Sequence, residues 1–213
     1  VGRLGGPGAC DQLDLSFFTA GTGGAGPTIV SATFLLLAGD ALTLSAGQIS
    51  GKPAWSERRI IDFGEGVGRR ACFLLDNPDV PSSAAALQIP HCTSRFGTAP
   101  AIWNRLFAAM QWLPKPLLLN RKAMQAFSLV SMPVIRAVDA FVGSTNAMCI
   151  DAHGSGRSLT LRCVHTSLED CVGQATAAFA LELLRGRTSR STGSSTIPVG
   201  VWFPACLLYT SDA

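Results

Sequence analysis

Residues 13–37, LDLSFFTAGTGGAGPTIVSATFLLL, constrain the fold more than any other stretch of the chain. Leu13, Leu15 and Phe17 alternate with Asp14 and Ser16, the pattern of a half-buried strand. A loop with Gly21, Gly23, Gly24 and Gly26 follows, and an apolar run over 29–37 then reads as a buried helix. Gly21, Gly23 and Gly26 spell G-x-G-x-x-G, a pattern whose glycines let the backbone approach a pyrophosphate at a helix N-terminus. That use requires a buried parallel strand in front, a helix behind, and a second strand ending in an acid about 20 residues on. The alternating strand suits an antiparallel or edge position instead. Residues 38–49 hold no apolar run that ends in a suitable acid, and Asp40 comes too early. Three uses of the loop stay open: a phosphate cradle, a tight turn packed against another backbone, or a loop that approaches substrate or closes on a partner domain.

The remaining elements read as hairpins interspersed with helices. Strands are expected at 42–55, broken by Gly47 and Gly51, at 59–63, and at 70–75 after a turn with Gly64, Gly66 and Gly68. Ser82 and Ser83 are expected to cap a short helix ending at Leu87. An extended segment over 89–96 carries His91 and Arg95 on one face, four residues apart. Residues 100–113 form a helix with Ile102, Leu106, Ala109 and Met110 along one stripe, stopped by Pro114 and Pro116. Residues 120–141 are helical with an interruption at Pro133. Residues 146–152 and 158–165 pair around His153–Gly156, and 167–184 is a helix capped by Thr166 or Ser167, with Gly186 after its end. Thr28 is expected to cap the helix after the glycine loop. The class is therefore α+β: a mixed, largely antiparallel sheet with helices packed on it.

Composition excludes several functions. A formal charge of +3 over 213 residues, with scattered arginines, argues against nucleic-acid binding. The longest apolar run, 27–39, is shorter than the roughly 20 residues a bilayer needs, so no transmembrane segment is expected. Seven cysteines, odd in number and irregular in spacing, fit buried thiols in a reducing, cytoplasmic setting better than a disulfide framework or a metal site. Residues 206–213, CLLYTSDA, read as the translation of a sequencing adapter and hold Tyr209, the only tyrosine. Residues 187–196 are a Ser/Thr-rich loop, and 199–204 an extended arm.

FFTAGTGGAGPT at 17–28, SRFGTAPAIWN at 94–104 and GVWFP at 200–204 resemble, in order and spacing, the saccharopine dehydrogenase-like oxidoreductases. The match is to a subgroup known mostly from genome sequences and spans 13–204. These segments are not the motifs of the saccharopine-forming enzymes themselves. The resemblance implies that 1–12 is a linker from a missing Rossmann domain and that 13–205 is the second domain, which shapes the substrate pocket and carries a homodimer contact. It further implies that the full-length parent uses NADP or NAD, that this stretch alone binds no cofactor and is inactive, and that the substrate is a small amino-acid-like molecule.

A carboxylate-bearing substrate calls for a forked cation, and Arg95 is the candidate. Thr22, Gly23 and Gly24 would offer backbone N–H groups to the same ligand, and Thr98 and Asn104 further hydrogen bonds. No catalytic residue is assigned. His91 is the histidine nearest this set, while His153 and His165 read as solvated or structural. An interaction module that keeps the fold without catalysis remains the alternative.

Overall fold

The computed structural model describes residues 10–21 and 26–188. The expected linker 1–12 is therefore described only from Cys10. Thr22, Gly23 and Gly24, the extended arm and residues 206–213 lie outside the described residues. In chain order the elements are β1 (Gln12–Ala20), α1 (Pro27–Leu36), β2 (Asp40–Ser45), β3 (Gln48–Pro53), β4 (Arg59–Asp62), β5 (Arg69–Leu74) and α2 (Asp79–Leu87). There follow β6 (His91–Ala99), α3 (Ala101–Met110), α4 (Lys115–Leu118), α5 (Arg121–Val142), β7 (Thr145–Gly154), β8 (Arg157–His165) and α6 (Leu168–Thr188).

The class is α+β, as the sequence implies. Eight strands form one mixed sheet with the path β3-β2-β6-β1-β7-β8, and β5 joins the same edge of β6 that β2 uses. Among the described residues β1 and β6 are the one parallel pair, and the remaining ladders are antiparallel. The β7–β8 hairpin closes through Ser155 and Gly156, both at positive φ (50° and 71°), the geometry whose twist matches paired strands.

β1 departs from the expected edge or antiparallel position. It lies inside the sheet, parallel to β6 on one side and antiparallel to β7 on the other. Asp14 and Ser16 alternate with apolar residues yet are themselves buried, so the alternation marks two different buried faces rather than one wet face.

One face of the sheet carries the β4–β5 hairpin. Phe63, Ile61 and Val67 pack there on Phe18, Cys72, Ala147 and Cys149. The other face carries the helices. α2 covers Leu13, Leu15, Leu44 and Cys92. A second cluster joins Phe34 and Leu37 to Trp55, Met110, Leu118 and Met124, with Phe73, Phe96 and Phe107 around it. Trp55 stacks on Phe73 (centroids 5.1 Å apart), meets Phe107 edge-on (4.9 Å) and donates its indole N–H to the Asn104 carbonyl (2.9 Å).

Several helix ends differ from expectation for local reasons. Gly26 is the N-cap of α1 with Pro27 behind it, so Thr28 lies inside the helix and does not cap it. α2 begins at Asp79, which leaves Ser82 in its first turns, bonded back to the Pro78 carbonyl (2.7 Å), and Ser83 buried. α5 runs through Pro133 without a break, from an Asn120 cap that accepts from the Ala123 N–H (3.1 Å). Pro133 sits among exposed Leu129, Val130 and Val134, where water can satisfy a freed carbonyl. α5 thereby becomes one helix long and apolar enough, by length and composition, to cross a membrane, with 17% of that window buried. Ser167 caps α6 by accepting from the Asp170 N–H (3.1 Å), and the helix continues through Gly186.

Gly97 is where the sheet has no room for a side chain. A Cβ there would lie 2.3 Å from the Ala71 carbonyl oxygen and 2.9 Å from the Cys72 Sγ. Gly97→Ala is expected to cost at least about 2 kcal/mol by forcing β5 away from β6. Gly173→Ala, in α6 with nothing near its Cβ position, is expected to be neutral or to stabilise by about 0.5 kcal/mol. Urea denaturation of the two variants beside the parent chain checks both.

Candidate functional site

The two segments that carry the resemblance at 17–28 and 94–104 meet in the structure. Phe17, Phe18, Thr19 and Ala20 pair in register with Phe96, Gly97, Thr98 and Ala99. Both strands point their C-terminal ends the same way, and the Gly21 N–H donates to the Ala99 carbonyl (3.1 Å). In open sheets this end of parallel strands is where ligands collect.

On the helix-covered side, a cavity of about 650 Å³ opens at that end. Its floor is the sheet, and its walls come from α1 (Ile29, Val30, Phe34), α3 (Trp103, Leu106, Phe107), α5 (Phe127, Ser131, Ile135) and the start of α6. The volume suits a small organic molecule. The floor is organised in rows by strand pairing. His165, Asn146, Thr19 and Thr98 lie side by side across β8, β7, β1 and β6. The next row down is apolar: Cys163, Met148, Phe17 and Phe96. All eight line the cavity. The Thr19 hydroxyl donates to Asn146 Oδ1 (3.3 Å), while Asn146 Nδ2 is buried without a hydrogen-bond partner.

The stripe expected on α3 faces this cavity along most of its length and reaches the packed core at Met110. Leu106, Ala109 and Met110 line the cavity, whereas Ile102 is exposed and the core is met by Phe107 and Met110.

The structure separates the site residues chosen from sequence. Thr98 lines the cavity. Asn104 spends both ends of its amide on Thr98, accepting from its N–H (3.2 Å) and donating to its carbonyl (2.9 Å), and so fastens α3 to the end of β6. Arg95 lies on the opposite face of β6 from Thr98 and is 2% exposed. Its Nη1 bonds Thr93 and reaches Asp14 (3.5 Å), and its Nη2 reaches Glu57 (3.5 Å). Asp14 also takes hydrogen bonds from Thr93, from Gln12 (2.6 Å) and from Arg59 (3.3 Å). Arg95 thus stands with the buried Asp14 in an ion cluster that the half-exposed Arg59 and Glu57 complete beneath the β4–β5 hairpin, and is not brought to the cavity. His91 shares its face at the strand's outer end, exposed and accepting from the Ala46 N–H (3.4 Å). His165 is brought to the cavity floor, and Thr19 and Asn146 were not singled out from sequence. Only the strand register aligns these three, although each sits near the end of its own strand, a local signal that could have been read.

Gly21 is the described part of the glycine loop. It has φ +64°, and a Cβ would lie 2.5 Å from the Gly143 carbonyl and 2.9 Å from Asp139 Oδ1. That is the close approach to another backbone held open by the sequence. β2 runs antiparallel to β6 and hence to β1, so α1 is not the parallel crossover that a dinucleotide turn opens.

No family model matches this chain, and no curated protein matches it in sequence.

Burial would raise the Asp14 pKa, but hydrogen bonds from Thr93 and Gln12, with Arg59 and Arg95, hold it below the ordinary carboxylate range. A carboxyl lowered by folding stabilises above its unfolded value, and that contribution fades as pH falls through the folded one. Asp14→Asn is therefore expected to cost about 3 kcal/mol at pH 7. The gap to the parent chain should narrow below about pH 4, near the free carboxylate value. Urea titrations at pH 7 and pH 3 measure it, and an equal gap at both would contradict the assignment.

Burial pushes the Cys72 and Cys92 thiols up to about 12 and Cys149 to about 11. They stay protonated, and the thiolate is the reactive form. Iodoacetamide at pH 8 is expected to label the partly exposed Cys163 and Cys171 first, and Cys72, Cys92 and Cys149 only in urea, as read by peptide mass spectrometry.

Proposed function

We propose that this chain is the substrate-binding part of an NAD(P)-dependent oxidoreductase similar to the saccharopine dehydrogenase-like enzymes, with the cavity as its substrate compartment. One observation carries the reading. Two of the three segments of resemblance begin on adjacent parallel strands whose C-terminal ends open into an apolar-walled cavity with a polar row on its floor. Such a compartment excludes water and orients a small molecule against a few polar groups.

Among the described residues β1, α1 and β2 lack the parallel crossover that a dinucleotide turn opens, which supports placing the cofactor elsewhere. The proposal therefore gives this chain the substrate half alone. Thr98 and Thr19 would hold the reacting end, Asn104 would fix the strand end beneath it, and α1, α3 and α5 would keep water out.

A second reading, an interaction module without catalysis, is favoured by the outer face of the helices. Val130 and Phe141 of α5 and Trp112 in the turn after α3 are 77%, 92% and 90% exposed, apolar side chains suited to a partner and equally to the dimer contact of the first reading.

The coding sequence ahead of Val1 is expected to specify a strand, a G-x-G-x-x-G turn and a helix. The 213-residue chain alone is expected to give no saturable heat with NADPH or NADH in calorimetry. Micromolar binding abolished by Gly23→Val, or an upstream sequence with no dinucleotide domain, would overturn the oxidoreductase reading.

A further inference from the structure

We infer that the cavity takes a neutral, elongated apolar molecule bearing a single carbonyl or hydroxyl oxygen, which sits on the row formed by Thr98, Thr19 and Asn146. The inference rests on the substrate-compartment reading and sets the substrate class within it. It replaces the amino-acid-like substrate that the resemblance implies.

Charge is the first argument. Among the described residues lining the cavity there is no lysine or arginine. The cation selected from sequence, Arg95, is turned to the other face and held by Asp14, Thr93 and Glu57. The ionisable groups on the lining are Asp79, Asp139, His165, Cys163 and Cys171. A carboxylate placed here would meet two acids and lose its hydration, with the His165 imidazole as the one basic side chain on the lining and no arginine or lysine to replace the lost water. An ammonium fares little better. Burial holds Asp79 above the ordinary carboxylate range, which weakens it as a counter-charge, and Asp139 already has an interaction of its own.

Shape and hydrogen bonding supply the second argument. The walls offer aromatic and aliphatic side chains along their length: Phe34 and Val30 from α1, Leu106 and Phe107 from α3, Phe127 and Ile135 from α5. Polar contacts of the floor concentrate in one row at the strand ends. Within that row one end of the Asn146 amide is taken by Thr19 and the other is buried with no partner. An unpaired buried amide group is destabilising until an acceptor reaches it. Asn χ2 is soft, so a small turn brings that group to a ligand oxygen on the row. A carbonyl or hydroxyl pairs with it without carrying charge into the cavity, and those two groups are the ones that hydride transfer interconverts.

The test titrates the full 213-residue chain with octan-2-one, octan-2-ol, octanoate, octylamine and L-glutamate, following tryptophan fluorescence (Trp103 lines the cavity) and calorimetry. The ketone and alcohol are expected to bind at least about tenfold more tightly than octanoate or octylamine, with no binding of L-glutamate. Asn146→Leu should weaken octan-2-one about tenfold, the equivalent of one good hydrogen bond. Ser131→Trp, which fills the cavity from α5, should abolish binding. Circular dichroism confirms that each variant folds, and Thr19→Val serves as the second probe of the row if Asn146→Leu does not. Tighter binding of octanoate, octylamine or L-glutamate overturns the inference, as does unchanged affinity in a folded row variant or no saturable binding of the ketone. Ketone binding by a chain with no upstream dinucleotide domain would keep this inference and overturn the oxidoreductase reading. An upstream dinucleotide domain joined to a cavity that prefers L-glutamate would do the reverse.

Discussion

The parallel ladder between β1 and β6 is the constraint on which the other features depend. Its register places Asp14 beside Thr93 on one face and Thr19 beside Thr98 on the other. The same nine-residue pairing therefore creates both the ion cluster and the polar row of the cavity. Parallel pairing also sets the two strand ends side by side, so that Gly21 and Pro100 leave the sheet together and the helices that follow, α1 and α3, become opposite walls of one space. Antiparallel pairing in the same place would have sent one of those helices to the far end of the sheet.

The two faces divide the chemistry. The face beneath the β4–β5 hairpin gathers Asp14, Arg95, Arg59 and Glu57, joined through Thr93 and Gln12. Burying such a set adds little net stability, but removing one member leaves a charge without its partner, so the arrangement is more valuable for fixing register than for energy. A one-residue slip of β6 against β1 would turn Arg95 into the apolar helix side and Phe96 to the face that holds Asp14. With its charges committed there, the helix-covered face is free to be apolar, and the cavity inherits that character.

Much of this was legible in the sequence. The hairpins, the α+β class and the long helices follow from period and turn residues, and the His153–Gly156 turn appears where its glycines and polar residues imply. The misreadings share a cause: tertiary surroundings override a local pattern. The Asp14 and Ser16 alternation resembles a wet face because a buried polar cluster and water leave the same signature in one strand. Pro133 reads as a break because it removes a hydrogen bond and crowds the carbonyl four residues back, yet here the helix turns that side outward, where water can take the freed carbonyl. The row of His165, Asn146, Thr19 and Thr98 draws one residue from each of four strands, and no local pattern registers them against each other.

Gly21 shows what the first residue of the glycine loop accomplishes. It must take positive φ to turn out of β1, and it must pass within van der Waals limits of the Gly143 carbonyl at the C-terminal end of α5. Any side chain there would push α5 away from the strand ends. α5 supplies Phe127, Ser131 and Ile135 to the cavity wall, and α1 packs along it. The absence of a Cβ at residue 21 is thus a condition for the width of the cavity itself. Gly21 acts on the cavity through the position of a helix, and this action needs no phosphate beside it.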